Sequence, residues 1–299
     1  MILSSILDRI GNTPLVRIRE VTQGIPEGVK IYAKLEYFNP GGSVKDRAAY
    51  GMVREGIKSG KLTPDKIIMD PTSGNTGVAY AMVGAALGYA VELVMPENAS
   101  QQRKDMAKAF GAAMRFSSSL EGSDGAIRMA RKLYEENPGK YFMPDQYNNE
   151  VNPRVHMETT APEILEQTGG KVTHFVATMG TSGTAIGVTR GLKAKNAKIH
   201  CVGVQPAQSL HGLEGLKHMP SSIVPGIYKE KELDEVMWIE TEPSYDLAER
   251  LGKEEGLLVG FSSGAAMVAC MELAHRIKEG VIVTIFPDHG DRYFEGMRW

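Results

Sequence analysis

The sequence predicts an α/β protein of open, twisted, mostly parallel sheets flanked by helices. Three observations carry that expectation. Short apolar runs recur along the chain, longer stretches with helical spacing separate them, and glycine-rich loops join run to helix. Strands alternating with helices imply a parallel sheet covered on both faces. Right-handed crossovers then bring the strand-to-helix loops to one edge, where open sheets bind ligands.

Residues 66–69, 91–95, 174–177, 199–202 and 281–285 are short apolar runs that read as buried strands. Residues 100–110 and 123–133 carry helical spacing. Breakers at Asn137-Pro138-Gly139 and around Asn152-Pro153 mark a boundary, and Phe38-Asn39-Pro40-Gly41-Gly42 marks another. The expected organisation is therefore two α/β lobes with a cleft between them. Residues 1–41 and 150–299 form the larger, and residues 42–149 a smaller mobile one. A chain of 299 residues is long enough for this.

Composition narrows the function classes. Hydrophobic residues make up 42% and charged residues 23%, an ordinary globular mix that excludes a disordered or fibrous chain. With 34 basic and 36 acidic residues, no charge bias points to nucleic acid or a membrane surface. Cys201 and Cys270 lie in apolar runs without a CxxC partner and read as buried hydrophobes. The seven histidines contain no HxxxH pair, so no metal site is expected. The first residues lack a basic n-region, and the longest apolar stretch, 78–91, falls short of the ~20 residues that span a bilayer. The expectation is a soluble cytoplasmic protein.

Three glycine-rich loops suggest anion binding. Thr72-Ser73-Gly74-Asn75-Thr76-Gly77, Gly180-Thr181-Ser182-Gly183-Thr184 and Ser262-Ser263-Gly264 each follow an apolar run and precede a helical stretch, which places all three at one sheet edge. A helix start leaves amide donors unpaired and carries partial positive charge, glycine lets a ligand approach the backbone, and hydroxyls add donors. The first two loops contain no Lys or Arg, so the backbone would hold the anion. Nucleotide motifs fail on detail: Gly183 is followed by Thr184-Ala185 and Gly77 by Val78-Ala79, not by the Lys-Ser/Thr of a P-loop, and the glycines lack the G-x-G-x-x-G spacing.

Lys45, in Asn39-Pro40-Gly41-Gly42-Ser43-Val44-Lys45-Asp46-Arg47, sits near a helix start, where positive potential disfavours an ammonium. A neutral amine is a nucleophile toward aldehydes. A lysine together with a backbone phosphate cradle is what pyridoxal phosphate requires.

Those segments, with Ile10-Gly11-Asn12-Thr13-Pro14-Leu15 and Asp288-His289-Gly290-Asp291-Arg292-Tyr293, occur in the order seen in the cysteine synthase and cystathionine β-synthase family. That family comprises fold-type II, tryptophan-synthase-β-like pyridoxal-phosphate enzymes. The Gly-Gly-Ser-Val-Lys-Asp-Arg form, with Asp145-Gln146-Tyr147-Asn148-Asn149, resembles the cysteine synthase B branch and cystathionine β-synthase more than the cysteine synthase A branch.

The resemblance implies that Lys45 holds the cofactor and acts as the base at Cα. Asn75 would contact the cofactor's 3′-oxygen, Gly180, Thr181, Ser182, Gly183 and Thr184 the phosphate, and Ser262 the pyridine nitrogen. Thr72, Ser73, Gly74, Asn75, Thr76 and Gln146 would bind the substrate carboxylate, and Gly226 would lie at the cofactor edge. In some relatives that prefer O-phosphoserine a basic residue stands near the place of Lys217, which would pair with a phosphoryl leaving group. The implied reaction is ping-pong β-replacement through an α-aminoacrylate, making L-cysteine from O-acetyl- or O-phospho-L-serine and sulfide or another sulfur donor. Alternatives are a cystathionine β-synthase-type condensation, a serine or threonine dehydratase, and a cofactor-free regulatory homologue. A homodimer is implied as well, with a serine acetyltransferase or a sulfur-carrier protein as further partners. His156 and His289 are given structural roles only.

Overall fold

The computed structural model describes residues 2–72 and 74–294. The chain divides into two compact units, Met1–Ile10 with Asn39–Asn152 and Gly11–Phe38 with Pro153–Trp299.

The first unit carries a four-stranded, all-parallel sheet in the order β5-β4-β3-β6. Its strands are β3 (Ile67–Pro71), β4 (Val91–Pro96), β5 (Ala113–Ser117) and β6 (Tyr141–Phe142). Helix α1 (Lys45–Lys58) precedes them, and α2 (Asn75–Leu87), α3 (Gln101–Ala109) and α4 (Gly122–Glu136) make the crossovers. All six residues of β4 are buried, as a strand covered on both faces requires. Helix α2 is buried along nine consecutive residues, Thr76 through Gly84, so it has no solvent face at its start. It ends where Gly88, at φ +78°, sends its N–H to the Gly84 carbonyl, the left-handed stop that glycine permits.

The strand order positions the site. β3 lies between β4 and β6, so the loops leaving β3 and β6 run in opposite directions from a switch point. The first loop is the Thr72–Gly74 segment, and the second contains Asp145 and Gln146.

The second unit carries a six-stranded sheet in the order β1-β2-β10-β7-β8-β9. Strands β1 (Leu15–Ile18) and β2 (Gly28–Leu35) pair antiparallel at one edge, and the remaining pairs are parallel. Strands β7 (His174–Thr178), β8 (His200–Pro206), β9 (Glu235–Ile239) and β10 (Glu279–Phe286) complete it. Helices α5 (Val151–Val155) and α6 (Ala161–Gln167) are joined by a π-helical turn, His156–Thr160. Helix α7 (Gly183–Lys195) crosses from β7 to β8, and α8 (Thr241–Glu255) and α9 (Phe261–Arg276) precede β10. Here too the switch lies at β7, between β10 and β8.

The expected α/β architecture with mostly parallel sheets holds. One expectation is corrected. The three glycine-rich loops do not share a sheet edge: Thr72–Gly77 follows β3 of one sheet and Gly180–Thr184 follows β7 of the other. The run before Ser262 is no strand, since residues 257–260 make only an isolated bridge, Val259 to His289, and α9 begins at Phe261. Ser262-Ser263-Gly264 therefore lies inside the first turn of a helix.

Cys201 and Cys270 are free and buried, and burial pushes their thiols up, to about 11 and about 12. No helix among the described residues is long and apolar enough to cross a membrane. No cluster of His, Cys, Asp or Glu among them could hold a metal.

Candidate active site

In the first unit, Lys45 is the first residue of α1 and is half-buried. The loop before it is tightly folded. Gly42, at φ +79°, donates its N–H to the Asn39 carbonyl at 2.8 Å. Gly41 donates to the buried Asp46 carboxylate, and a Cβ at Gly41 would strike that carboxylate. The Lys45 N–H donates to Ser43 Oγ at 3.3 Å. The glycines are thus needed for the close approach of backbone to Asp46, which fixes where the helix and its lysine begin.

Thr72, Gly74, Asn75 and Thr76 form the β3–α2 turn. Thr72 is buried, and its Oγ1 accepts from the Gly74 N–H at 3.3 Å. Asn75 is the first residue of α2, and Gly74 caps it in an extended conformation. Ser73, assigned by resemblance to the same site, lies outside the described residues.

Gln146 joins this turn. Thr76 Oγ1 donates to Gln146 Oε1 at 2.8 Å, Gln146 Nε2 donates to the Pro71 carbonyl at 3.1 Å, and Asn152 Nδ2 donates to the Gln146 carbonyl at 2.9 Å. Asp145, a non-glycine residue at φ +51°, precedes it. The N–H groups of Asp145 and Gln146 both donate to Asp70, at 3.2 and 3.4 Å. Asp70 is fully buried at the end of β3. Burial first, and the Asp145 charge second, push its carboxyl up to about 8 against the opposing hydrogen bonds.

In the second unit, Gly180, Thr181, Ser182, Gly183 and Thr184 form the β7–α7 turn. Ser182 takes the left-handed conformation at φ +71° as the cap of α7. Its Oγ is buried with no hydrogen-bond partner among the described residues. A Cβ on Gly180 would run into the Gly215 carbonyl. The Lys217 N–H bonds the Met179 carbonyl at 3.0 Å, so residues 215–217 clamp the strand end. Lys217 is itself buried, 9% exposed. Gly226 is exposed, and its carbonyl accepts from Lys229 Nζ at 2.8 Å.

Ser262 and Ser263 are both buried in the first turn of α9, which contains no acidic residue. Ser262 keeps 5% exposure, whereas Ser263 is closed off at 0% with its Oγ unpartnered among the described residues.

One residue escaped the sequence reading, and another, given a structural role, has partners that no spacing marked. Asp70 carries no motif signal, because a single acid at a strand end looks like any other. His156, given only a structural role, has Nε2 at 3.2 Å from Thr184 Oγ1 and Nδ1 at 2.9 Å from Thr160 Oγ1. Gly187 makes that approach possible, since its Cβ would strike the Pro153 carbonyl and His156. His289 behaves as expected, ordering its loop by accepting from the Asp291 N–H at 3.4 Å.

The pattern fits an anion cradle without positive side chains. A left-handed residue before a helix start turns successive amides toward one point, the 13-residue α7 adds its dipole, and the orphaned Ser182 hydroxyl lacks the acceptor a phosphate would give. The family model described as "Pyridoxal-phosphate dependent enzyme" matches residues 6–288. The chain belongs to that family. Pyridoxal phosphate is its cofactor, and the residues of the Gly180–Thr184 turn suit the phosphate end of it.

Among curated proteins the chain is 52% identical to a cysteine synthase of Aquifex aeolicus over 97% of its own length and 90% of the relative's. It is 39% identical to cysteine synthase B of Escherichia coli, covering 97% and 94%. Among solved structures it resembles a cysteine synthase of Entamoeba histolytica with a TM-score of 0.95 and 40% identity, covering 99% of this chain and 90% of the other.

Proposed function

We propose that this enzyme makes L-cysteine by β-replacement, exchanging the leaving group of an activated serine for sulfide. The observation that carries the chemistry is the first turn of α9, where hydroxyls stand and no acid does. By resemblance Ser262 faces the cofactor's pyridine nitrogen. A neutral hydroxyl does not enforce a protonated ring as an aspartate would, and a ring that is a weaker electron sink favours expulsion of a good β-leaving group over transamination. The identity to cysteine synthases supports the same reading.

When bound, pyridoxal phosphate supplies the electron-withdrawing ring that acidifies the substrate's Cα proton. The chain supplies the rest. Lys45 would hold the cofactor's aldehyde and would accept the substrate's Cα proton. The Gly180–Thr184 amides and hydroxyls hold the phosphate, and Asn75 the 3′-oxygen. Thr72, Ser73, Gly74 and Thr76 receive the substrate's α-carboxylate at the start of α2, where the helix dipole favours an anion. Lys217 adds charge for an O-phosphoserine leaving group. Two half-reactions separated by release of acetate or phosphate give ping-pong kinetics.

The test is a matrix of O-acetyl-L-serine, O-phospho-L-serine and L-serine against sulfide and homocysteine. Rapid cysteine formation from an activated serine and sulfide is the expected result. Turnover confined to L-serine with homocysteine, or deamination without any thiol product, would refute it.

A further inference from the structure

The turn read as the carboxylate site rests on a fully buried acid. Asp70 is sealed at the end of β3, and each of its oxygens accepts one backbone N–H, Oδ1 from Asp145 at 3.2 Å and Oδ2 from Gln146 at 3.4 Å. Two successive amides, the first from a residue at φ +51°, form a concavity that binds an anion. Here the occupant is a side-chain carboxyl of the same unit, whose two oxygens accept the two amides. Closing that concavity fixes Gln146, whose Oε1 accepts the Thr76 hydroxyl at 2.8 Å and whose Nε2 holds the Pro71 carbonyl at 3.1 Å. Pro71 ends β3 and Thr76 lies in the first turn of α2, so the two partners flank the turn.

We infer that Asp70 is a positioning residue for substrate recognition: its carboxyl holds the Asp145–Gln146 amides, and Gln146 in turn holds the Thr76 hydroxyl and the Pro71 carbonyl, one on each side of the turn that receives the substrate's α-carboxylate. The inference rests on the reading of the Thr72–Thr76 turn as the α-carboxylate site, and it extends that reading to a residue with no motif of its own.

The two acceptor oxygens matter as well as the shape. Asparagine has nearly the same outline as aspartate, but its NH₂ must face one of the two N–H groups, donor against donor. The amide pair then loses a partner, and the Asp145–Gln146 turn loses its reason to hold a left-handed residue. A packing role for Asp70 would weaken every ligand of the site together. A positioning role discriminates, because only ligands with a carboxylate use the turn that Gln146 holds in place.

The test uses the pyridoxal-phosphate holoenzyme and two amino acids that lack a leaving group, L-alanine and L-alaninamide. Their binding is read from the change in the cofactor's visible spectrum. Wild-type protein is expected to prefer L-alanine. Asp70→Asn should lower L-alanine affinity by about tenfold, the scale of one hydrogen bond to a charged group, and leave L-alaninamide unchanged. Asp70→Glu, which keeps the carboxyl but displaces it, should give an intermediate loss and stands in should the asparagine variant not fold. Gln146→Ala should match Asp70→Asn, and the double variant should add nothing further. If the wild type shows no preference for L-alanine, the carboxylate reading falls and the inference with it. If the wild type shows the preference and Asp70→Asn or Asp70→Glu keeps it in full, the inference alone is overturned.

Discussion

The two glycine-rich turns look alike in sequence but are built differently. The Gly180–Thr184 turn is held by backbone: a left-handed Ser182, a Gly180 pressed on the Gly215 carbonyl, and the Lys217 N–H on the Met179 carbonyl. The Thr72–Asn75 turn has an extended Gly74 and is held by side chains, through Thr76, Gln146 and Asp70. A cofactor that stays for many turnovers suits a rigid cradle. A substrate that arrives and leaves suits a network whose members can shift a few tenths of an ångström. Pre-organised amides bind the resident group, and adjustable hydroxyls and amides receive the transient one.

The contrast can be broken at either turn. The largest effect belongs to neither: Lys45→Ala should lower kcat by about 10³-fold or more, measured by cysteine formation, because the holding amine and the base are lost together. Next is Gly180→Ala. Its Cβ meets the Gly215 carbonyl, so about 1–3 kcal/mol of stability is expected to go, with cofactor retention falling as well. A thermal melt and equilibrium dialysis would show both, and unchanged retention would mean that the cradle is less rigid than its geometry. On the other turn, Thr76→Val should leave the melting temperature within a few degrees and raise the KM for the amino-acid substrate by about tenfold. A fall in cofactor retention there would erase the distinction between the two turns.

The last expected effect is a pH dependence. Burial and the Asp145 charge lift the Asp70 carboxyl from the ordinary carboxylate range to about 8. The folded chain therefore holds this proton more tightly than the unfolded one. The stability contribution is complete below the usual carboxylate value and is lost as pH rises toward about 8. Tyr80 on α2, with Asp145 and Tyr147 on the adjoining turn, are the titratable groups that face it; burial pushes both tyrosines upward, so neither titrates in this window. Asp70→Asn removes the titration, and its stability should decline less between pH 5 and pH 8 in parallel denaturant titrations. Identical slopes would place the proton elsewhere.

Much of this was legible in the sequence, for physical reasons. Strands covered on both faces are continuous apolar runs, so β3, β4, β7, β8 and β10 stand out. A backbone cradle needs glycine and hydroxyl residues at a helix start, so both turns were visible. β2 was harder to read, because Lys34 lies fully buried in it and is neutralised by Glu163 at 2.7 Å, contributed by α6 more than a hundred residues later. β6, two residues long, is a strand only because β3 pairs with it. The run before Ser262 read as a strand because apolar content alone does not separate a strand from the entry to a buried helix. The contacts of Asp70 and His156 were invisible for a related reason. Their roles come from groups brought close by the fold, Gln146 to Asp70 and Thr184 to His156, and no local spacing encodes either meeting.

The account depends most on Lys45, and it can be examined directly. Holoenzyme reduced with borohydride and digested should yield a single phosphopyridoxyl-bearing peptide, with the modification on Lys45 and the visible absorbance gone. A modification on another lysine, or a protein that takes up no cofactor and gains no mass, would contradict the account at its root.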